Sequence, residues 1–287
     1  MSPDAPTTTP FASVALLGLG VMGGSLGQAL GALRRPPRRV GWSPDPGEGE
    51  AALAGGALDA VAGSVEDAVA GAEVVVLAVP VAACVELLPR VLRAMPPDAV
   101  LTDVASLKGP VWVAVSKAGA RARWVGSHPM CGSADSGYRA SRPDLYRGAR
   151  VWVVLPPEAG EHVDAVDALW LAVGAHTVRI DSSAHDALMS FVSHLPQLAS
   201  NALARTLEDA GVAAAALGPG GIDMTRLAGS SPEMWRDILA LSFTPPLSDG
   251  LRTMADHLRA LADALEARDV DAIASLMEAT RAWKTRT

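Results

Sequence analysis

The chain has 287 residues, 24 Lys+Arg against 31 Asp+Glu, a formal charge of −7 and 49% hydrophobic residues. That is enough apolar material for a large core, which excludes a disordered chain. An acidic balance with three lysines (Lys108, Lys117, Lys284) argues against a general nucleic-acid binder. No apolar run approaches the ~18 residues of a membrane span. The length suits two domains. Two cysteines, Cys84 and Cys131, cannot form a disulfide framework, so a reducing cytoplasm is the expected setting.

Met1 to Pro10 is polar and rich in Pro and Thr, and is expected to be a frayed tail, not a signal peptide. Short β-branched runs then alternate with Ala/Leu-rich stretches. Strands are predicted at Ser13 to Leu17, Arg39 to Trp42, Glu73 to Val79, Ala99 to Asp103, Trp124-Val125, Arg150 to Leu155 and Thr177 to Ile180. Helices are predicted at Gly23 to Leu33 and Val81 to Met95. Strands that are apolar throughout, separated by helices, imply a parallel sheet covered on both faces. From about Ser182 the β pattern stops. Ala184 to Ala210, Ser231 to Leu241, Ser248 to Ala267 and Val270 to Trp283 read as helices. Pro232 fits a helix start and Gly211 a helix end. The expectation is an α/β domain over residues 11–181, followed directly by an all-α domain over 182–287. Several of the later helices are Ala-rich and apolar on more than one face, which points to a homodimer through the helical domain.

Gly18-Leu-Gly20-Val-Met-Gly23 follows a predicted strand and opens a predicted helix, the context a dinucleotide fingerprint requires. Gly18 permits the tight turn, Gly20 lets backbone approach a pyrophosphate, and Gly23 lets helix and strand pack closely. The helix N-terminus offers N–H groups to the phosphates. About 20 residues on, an acidic residue normally holds the adenosine ribose. Here the strand ends at Ser43, with Asp45 two residues later and no arginine to grip a 2′-phosphate. NAD is therefore expected, with NADP left open. The candidate cofactor residues are Gly18, Gly20, Val21, Met22, Gly23, Ser43, Asp45, Val79 and Pro80.

Gly126-Ser-His128-Pro-Met-Cys131-Gly-Ser133 follows the predicted strand at Trp124-Val125, at a sheet edge where α/β proteins bind ligands. A histidine there can accept a proton near neutral pH, or can simply be a loop residue satisfied by backbone. A zinc site with Cys131 lacks further ligands at suitable spacing, so no metal is expected. On a continuous helix Ser190, His194 and Asn201 share one face as a polar stripe. That stripe is either a site or a water-bridged core cluster. His185, nine residues before His194, lies about half a turn around and cannot share its ligand. Pro196 should kink the helix and free the carbonyl of Val192. Arg226 can fork onto a carboxylate ligand or pair with Asp223 one turn earlier. Asp223 can also orient it.

Taken together, these segments resemble the TyrA family of prephenate and arogenate dehydrogenases. The matching pieces are Gly18-x-Gly-x-x-Gly23, Asp103-Val-Ala-Ser106-x-Lys108, Gly126-Ser-His-Pro-Met130, Ser193-His-Leu-Pro196, and Asp223-x-Thr-Arg226 followed by Met234-Trp-Arg-Asp237. The resemblance implies an NAD(P)-binding domain followed by a helical dimerisation domain. It implies oxidative decarboxylation of prephenate to 4-hydroxyphenylpyruvate, or of arogenate to tyrosine. His128 would draw off the proton of the substrate's ring hydroxyl, and Ser106 would share that hydroxyl and orient His128. Arg226 would bind a substrate carboxylate, with Trp235 and Asp223 positioning it. His194, Ser190 and Ser133 would line the pocket, and His128 would meet Arg226 across the interdomain cleft. Several relatives carry an acidic residue where Ala134 stands here, with Asp135 following. A carboxylate there would attract arogenate's ammonium, so its lack favours prephenate. The chain ends at Thr287, so no ACT domain or fused chorismate mutase is expected, and tyrosine feedback would be competitive. β-Hydroxyacid dehydrogenases share a similar glycine phrase, but they use a lysine on the interdomain helix, and Ala184 to Ala210 holds none. A nucleotide-sensing regulator on the same fold would leave His128, His194 and Arg226 without roles.

Overall fold

The computed structural model describes residues 8–133, 135–155, 160, 162–242 and 244–286. The first seven residues of the expected tail, together with Ala134 and Thr287, lie outside them. In chain order the first elements are β1 (Ser13–Leu17), α1 (Val21–Gly31), β2 (Arg38–Trp42), α2 (Pro46–Ala54), β3 (Ala60–Val61), α3 (Val65–Val69), β4 (Val74–Leu77), α4 (Val81–Ala94), β5 (Val100–Asp103) and α5 (Gly109–Lys117). The five strands pair in the order β3-β2-β1-β4-β5, all parallel. That is a doubly wound arrangement with β1 at its centre.

Burial explains why these strands carry no polar face. Successive side chains of a strand point to opposite sides. Val14 and Leu16 of β1 and Val74 and Val76 of β4 enter one core with Tyr146 and Trp170. Ala15 and Leu17, with Val75 and Leu77, enter a second core with Leu101 and Trp124. Both faces are covered, as the continuous apolar runs require.

A second, three-stranded sheet follows from β6 (Gly126–Pro129), β7 (Arg150–Val154), α6 (His162–Ala172) and β8 (His176–Ile180). Its order is β6-β7-β8. β7 and β8 are parallel, but β6 is antiparallel to β7, so the wholly parallel reading needs correction. The predicted strand at Trp124-Val125 also shifts. Trp124 only bridges Leu101, and the Val125 N–H donates to the Leu101 carbonyl at 2.9 Å. The strand proper is Gly126–Pro129. His128 therefore sits on a strand and not in a loop. Glycine and proline at the two ends hide it from a propensity reading.

The remaining elements are α7 (Ser182–Met189), α8 (Leu195–Asp209), α9 (Pro219–Thr225), α10 (Pro232–Leu241), α11 (Pro245–Glu266) and α12 (Val270–Thr285). The expected continuous helix from Ala184 to Ala210 is broken by a π-helical turn at Ser190–His194. Proline lacks an N–H and clashes with the carbonyl four residues back. The wider turn ends before Pro196, which then occupies the first turn of α8, where no N–H is needed. Ser231 caps α10, its side chain accepting from the Met234 N–H at 3.3 Å, and Gly211 turns the chain after α8 with φ +75°.

A cut after residue 181 separates the strands from the helices. Packing divides the chain differently, into one unit that runs to Leu188 and includes Gly229–Ser242, and another of Met189–Ala228 with the chain after residue 243. α10 packs on α4 in the first unit, where Ile238 and Trp235 join the second core. In the other unit Leu258, Leu265, Val270, Met277 and Trp283 stay more than half exposed. No helix among the described residues is long and apolar enough to cross a membrane.

Candidate active site

The glycine turn after β1 has the geometry its sequence suggests. Gly18 takes φ +96°, and a Cβ there would stand 2.4 Å from the Ala78 carbonyl oxygen. At Gly23 a Cβ would stand 1.9 Å from the Gly18 carbonyl oxygen, so α1 can lie this close to β1 only without a side chain. At Gly20, the N-cap of α1, the nearest atom to such a Cβ is Glu48 Oε1 at 3.8 Å. That is a cradle open to a ligand, with the N–H groups of α1 behind it. Val21 and Met22 begin α1, which the Tyr146 hydroxyl pins by donating to the Met22 carbonyl at 2.7 Å. Val79 and Pro80 follow β4, with Pro80 capping α4. The dinucleotide's pyrophosphate fits this turn.

At the end of β2 the carboxylates divide their work. Asp45 is the N-cap of α2, its Oδ1 accepting from the Gly47 N–H at 2.9 Å. Glu48, in the first turn of α2, accepts from the Ser43 hydroxyl at 2.9 Å and lies beside Gly20. Sequence distance singled out Asp45, whereas the helical turn brings Glu48 back to the strand end.

Ser106 is half-buried in the turn between β5 and α5, and a buried charge pair shapes that turn. The Lys108 ammonium donates to the Asp103 carboxylate and to the Ser127 carbonyl, the latter at 2.6 Å. Both side chains of the pair are fully buried. Trp124 Nε1 donates to the other Asp103 oxygen at 2.9 Å, and the Ala105 N–H donates to the first at 3.0 Å. The chain at Ser127 is thereby held next to the turn.

One residue along β6, His128 is half-buried, and its Nδ1 lies 2.9 Å from Nε2 of His185. The rings meet edge to face at 5.1 Å between centroids. His185 Nδ1 in turn lies 2.7 Å from the Asp186 carboxylate. Asp186 accepts from the N–H groups of Lys108 and Gly109 at 2.9 and 2.8 Å. Burial lowers the His185 pKa below its ordinary value, against the pull of Asp186 and with help from the Lys108 charge. For Asp186, burial works upward, but the bonds from His185 and the two backbone N–H groups leave it below the usual carboxylate range. No local pattern marks this pairing, because His185 and His128 are 57 residues apart.

In the other unit, Ser190 and His194 are both buried, on the π turn. Asn201 is exposed and accepts from Gln197 at 2.8 Å, so the expected three-residue stripe does not persist. Instead buried Gln197 and Ser200 hold the segment that carries Arg226. Gln197 Nε2 donates to the Leu227 carbonyl at 2.7 Å, and the Ser200 hydroxyl to the Met224 carbonyl at 2.9 Å. Arg226 and Asp223 are both exposed, and no ion pair joins them among the described residues. Half-buried Trp235 packs against the second core of the first unit. Ser133 is exposed and accepts from the Asp135 N–H at 3.1 Å. Ala134, on which the choice between the two substrates turned, lies outside the described residues.

Two family models match in succession, the prephenate dehydrogenase nucleotide-binding domain over residues 29–179 and the prephenate dehydrogenase dimerization domain over 181–279. The chain belongs to the prephenate dehydrogenase family. It is 31% identical over 235 residues to a prephenate dehydrogenase of Bacillus subtilis, covering 79% of this chain and 63% of that one, a little under two thirds of the relative. A crystal structure of prephenate dehydrogenase from Aquifex aeolicus, in complex with hydroxyphenyl propionate and NAD+, superposes with a TM-score of 0.86 at 25% identity, covering 96% of this chain and 98% of that one. Synechocystis arogenate dehydrogenase shares the fold, with a TM-score of 0.80 at 21% identity over 95% and 98% of the two chains. The expected fold, an α/β dinucleotide-binding domain followed by a helical domain, is that of the family.

The buried, neutral His185 makes a pH prediction. Its folded pKa lies below the ~6.5 of an unfolded histidine, so the unfolded chain binds the extra proton first. The stability it permits is complete above about pH 6.5 and is lost as pH falls toward the folded value. The groups around it are His128, Asp186, Lys108 and Asp103, and Asp186 adds its own loss only in the acid carboxylate range. Urea unfolding should give a lower unfolding free energy at pH 5.5 than at pH 7.5, with a slope no steeper than the ~1.4 kcal/mol per pH unit of one proton. A His185→Gln variant should show a clearly smaller decline. Equal declines in the two proteins would contradict the assignment.

Proposed function

We propose that this chain is an NAD+-dependent prephenate dehydrogenase, which converts prephenate to 4-hydroxyphenylpyruvate and CO2. The observation that carries the reading is His128, set in the family's Gly-Ser-His-Pro-Met segment on a strand backed by His185 and anchored by buried Lys108. When bound, NAD+ supplies the hydride acceptor. His128 takes the proton of the substrate's ring hydroxyl as hydride leaves the same carbon. Loss of CO2 then makes the ring aromatic, and the proton returns to the phenolate oxygen. Ser106 orients that hydroxyl. Arg226, with no ion pair among the described residues, grips a substrate carboxylate through its fork. Ser190, His194, Ser133, Asp223 and Trp235 complete the substrate residues. Prephenate is favoured over arogenate because Ala134 offers no carboxylate to an ammonium.

The ribose hydroxyls of NAD+ fall to Glu48, since Asp45 is committed to capping α2. A carboxylate there accepts from a 2′-hydroxyl and repels a 2′-phosphate. The enzyme acts as a homodimer through the helical unit, in keeping with the family's dimerization model and the exposed apolar side chains of α11 and α12. Its compartment is the cytoplasm, consistent with two unpaired cysteines.

The deciding assay follows reduced cofactor with prephenate or arogenate and NAD+ or NADP+. Turnover of prephenate with NAD+ is expected, and turnover of neither substrate would overturn the reading. His128→Asn should lower kcat at least ~100-fold while the Kd for NAD+ stays within about twofold. Arg226→Ala should raise KM for prephenate roughly 10- to 100-fold, the worth of a charge-assisted contact. An unchanged KM would make Arg226 structural. Glu48→Gln should narrow the ratio of NADP+ to NAD+ dissociation constants by about tenfold, measured by cofactor titration without substrate. An unchanged ratio would return the ribose to another residue.

A further inference from the structure

We propose that Asp186 and His185 act in series as positioning residues that fix the tautomer of His128, placing its proton on Nδ1 and leaving Nε2 as the base. The inference rests on the reading of His128 as the proton acceptor, and adds which nitrogen accepts and what decides it.

Asp186 anchors the series. Its Oδ1 accepts from the Lys108 N–H at 2.9 Å and its Oδ2 from the Gly109 N–H at 2.8 Å. Both donors belong to the start of α5, a helix of nine residues whose N-terminal end favours an anion. An ionised carboxylate only accepts. His185 Nδ1, 2.7 Å from Asp186 Oδ1, must therefore carry a proton. A neutral imidazole has one N–H. The His185 ring is fully buried, and the ammonium of Lys108 acts against a second positive charge beside it. Nε2 of His185 is then a lone-pair acceptor. His128 Nδ1 lies 2.9 Å from that lone pair and must donate. A neutral His128 with its proton on Nδ1 has its lone pair on Nε2.

The opposite direction is costly at two points. It sets an imidazole lone pair against the Asp186 carboxylate, and it leaves buried polar groups without their bonds. The same series serves the charged state. Once Nε2 takes a proton, the imidazolium still donates through Nδ1 to His185, whose own N–H is held by Asp186. Nothing in the relay needs to reorient during the transfer. Free histidine favours the Nε2–H form, so without His185 the base nitrogen of His128 would be partly blocked.

The test uses the full-length protein with 15N-labelled histidine. Long-range proton–nitrogen spectra above pH 7.5 assign the tautomer of each ring without any turnover. The expected result is Nδ1–H for both His128 and His185. A wild-type His128 found mainly as Nε2–H would overturn the proposal. In His185→Phe, which keeps the bulk and removes the acceptor, the His128 spectrum should move toward Nε2–H. Its kcat should fall at least about tenfold, with KM for prephenate and Kd for NAD+ within about threefold. His185→Gln, which keeps an acceptor oxygen in place of Nε2, should recover most of that loss. An unmoved His128 spectrum in the Phe variant, or a Gln variant no better than Phe, would refute the role. If the Phe variant does not fold, the wild-type spectrum and the Gln variant still decide. A wild-type protein with the expected spectrum and no turnover of prephenate would remove the function reading while keeping the tautomer assignment.

Discussion

Everything around the candidate proton acceptor depends on the buried pair of Asp103 and Lys108. Taking two opposite charges out of water costs several kcal/mol per ion, so such a pair survives only when its remaining bonds are satisfied. Here they are. Asp103 also accepts from Trp124 and Ala105, and Lys108 also donates to the Ser127 carbonyl. The pair is better understood as a fastener than as a source of stability. The Lys108 side chain ties the β5–α5 turn to β6, while its main-chain N–H binds Asp186 on α7. One residue thus sets the separation between the strand carrying His128 and the helix carrying His185. This gives the Asp103…Lys108 spacing a physical meaning: two residues five apart close a turn whose ends meet as an ion pair.

The sequence exposed most of the fold because its signals were local. The apolar runs of β1 and β4 required cover on both faces, and the two cores supply it. The glycine phrase stated its own geometry, from the positive φ at Gly18 to the contact at Gly23. What periodicity could not carry was anything set by partners distant in the chain. β6 is a strand because β7 lies antiparallel beside it, and its own residues, Gly-Ser-His-Pro, are poor strand formers. α10 reads as one more helix of the second half, yet it packs with the sheet. The π turn is a further case. Pro196 announced an interruption, but not that the chain would meet it by widening one turn instead of kinking.

The site was legible in the same uneven way. Residue types and order pointed to His128, Ser106 and Arg226, but not to what holds them. Helical spacing keeps His185 from sharing a ligand with His194, so nothing local marks it as part of a site. Its partner lies on a strand of the other sheet edge. Glu48 escaped because distance along the chain favours Asp45, whereas the first turn of a helix returns its third residue toward the strand end. Gln197 holds the Leu227 carbonyl, a contact that only the packing of α8 on the Arg226 segment creates. Supporting residues work through backbone groups, and backbone groups leave no trace in composition.

The charges of the molecule consequently fall into two kinds. Asp103, Lys108 and Asp186 are committed, since each of them ends on named internal partners and none can attract a ligand. Glu48 and Arg226 have no ion pair among the described residues; Glu48, at the glycine turn, accepts only from the Ser43 hydroxyl, and Arg226 ends α9. In a protein of net charge −7 the overall field opposes any anionic ligand. Attraction must then come from a cation whose charge no internal carboxylate has already neutralised. Had Asp223 paired with Arg226, as their spacing allowed, the guanidinium would have offered far less to any external carboxylate. Both side chains are exposed, and no ion pair between them among the described residues neutralises the guanidinium.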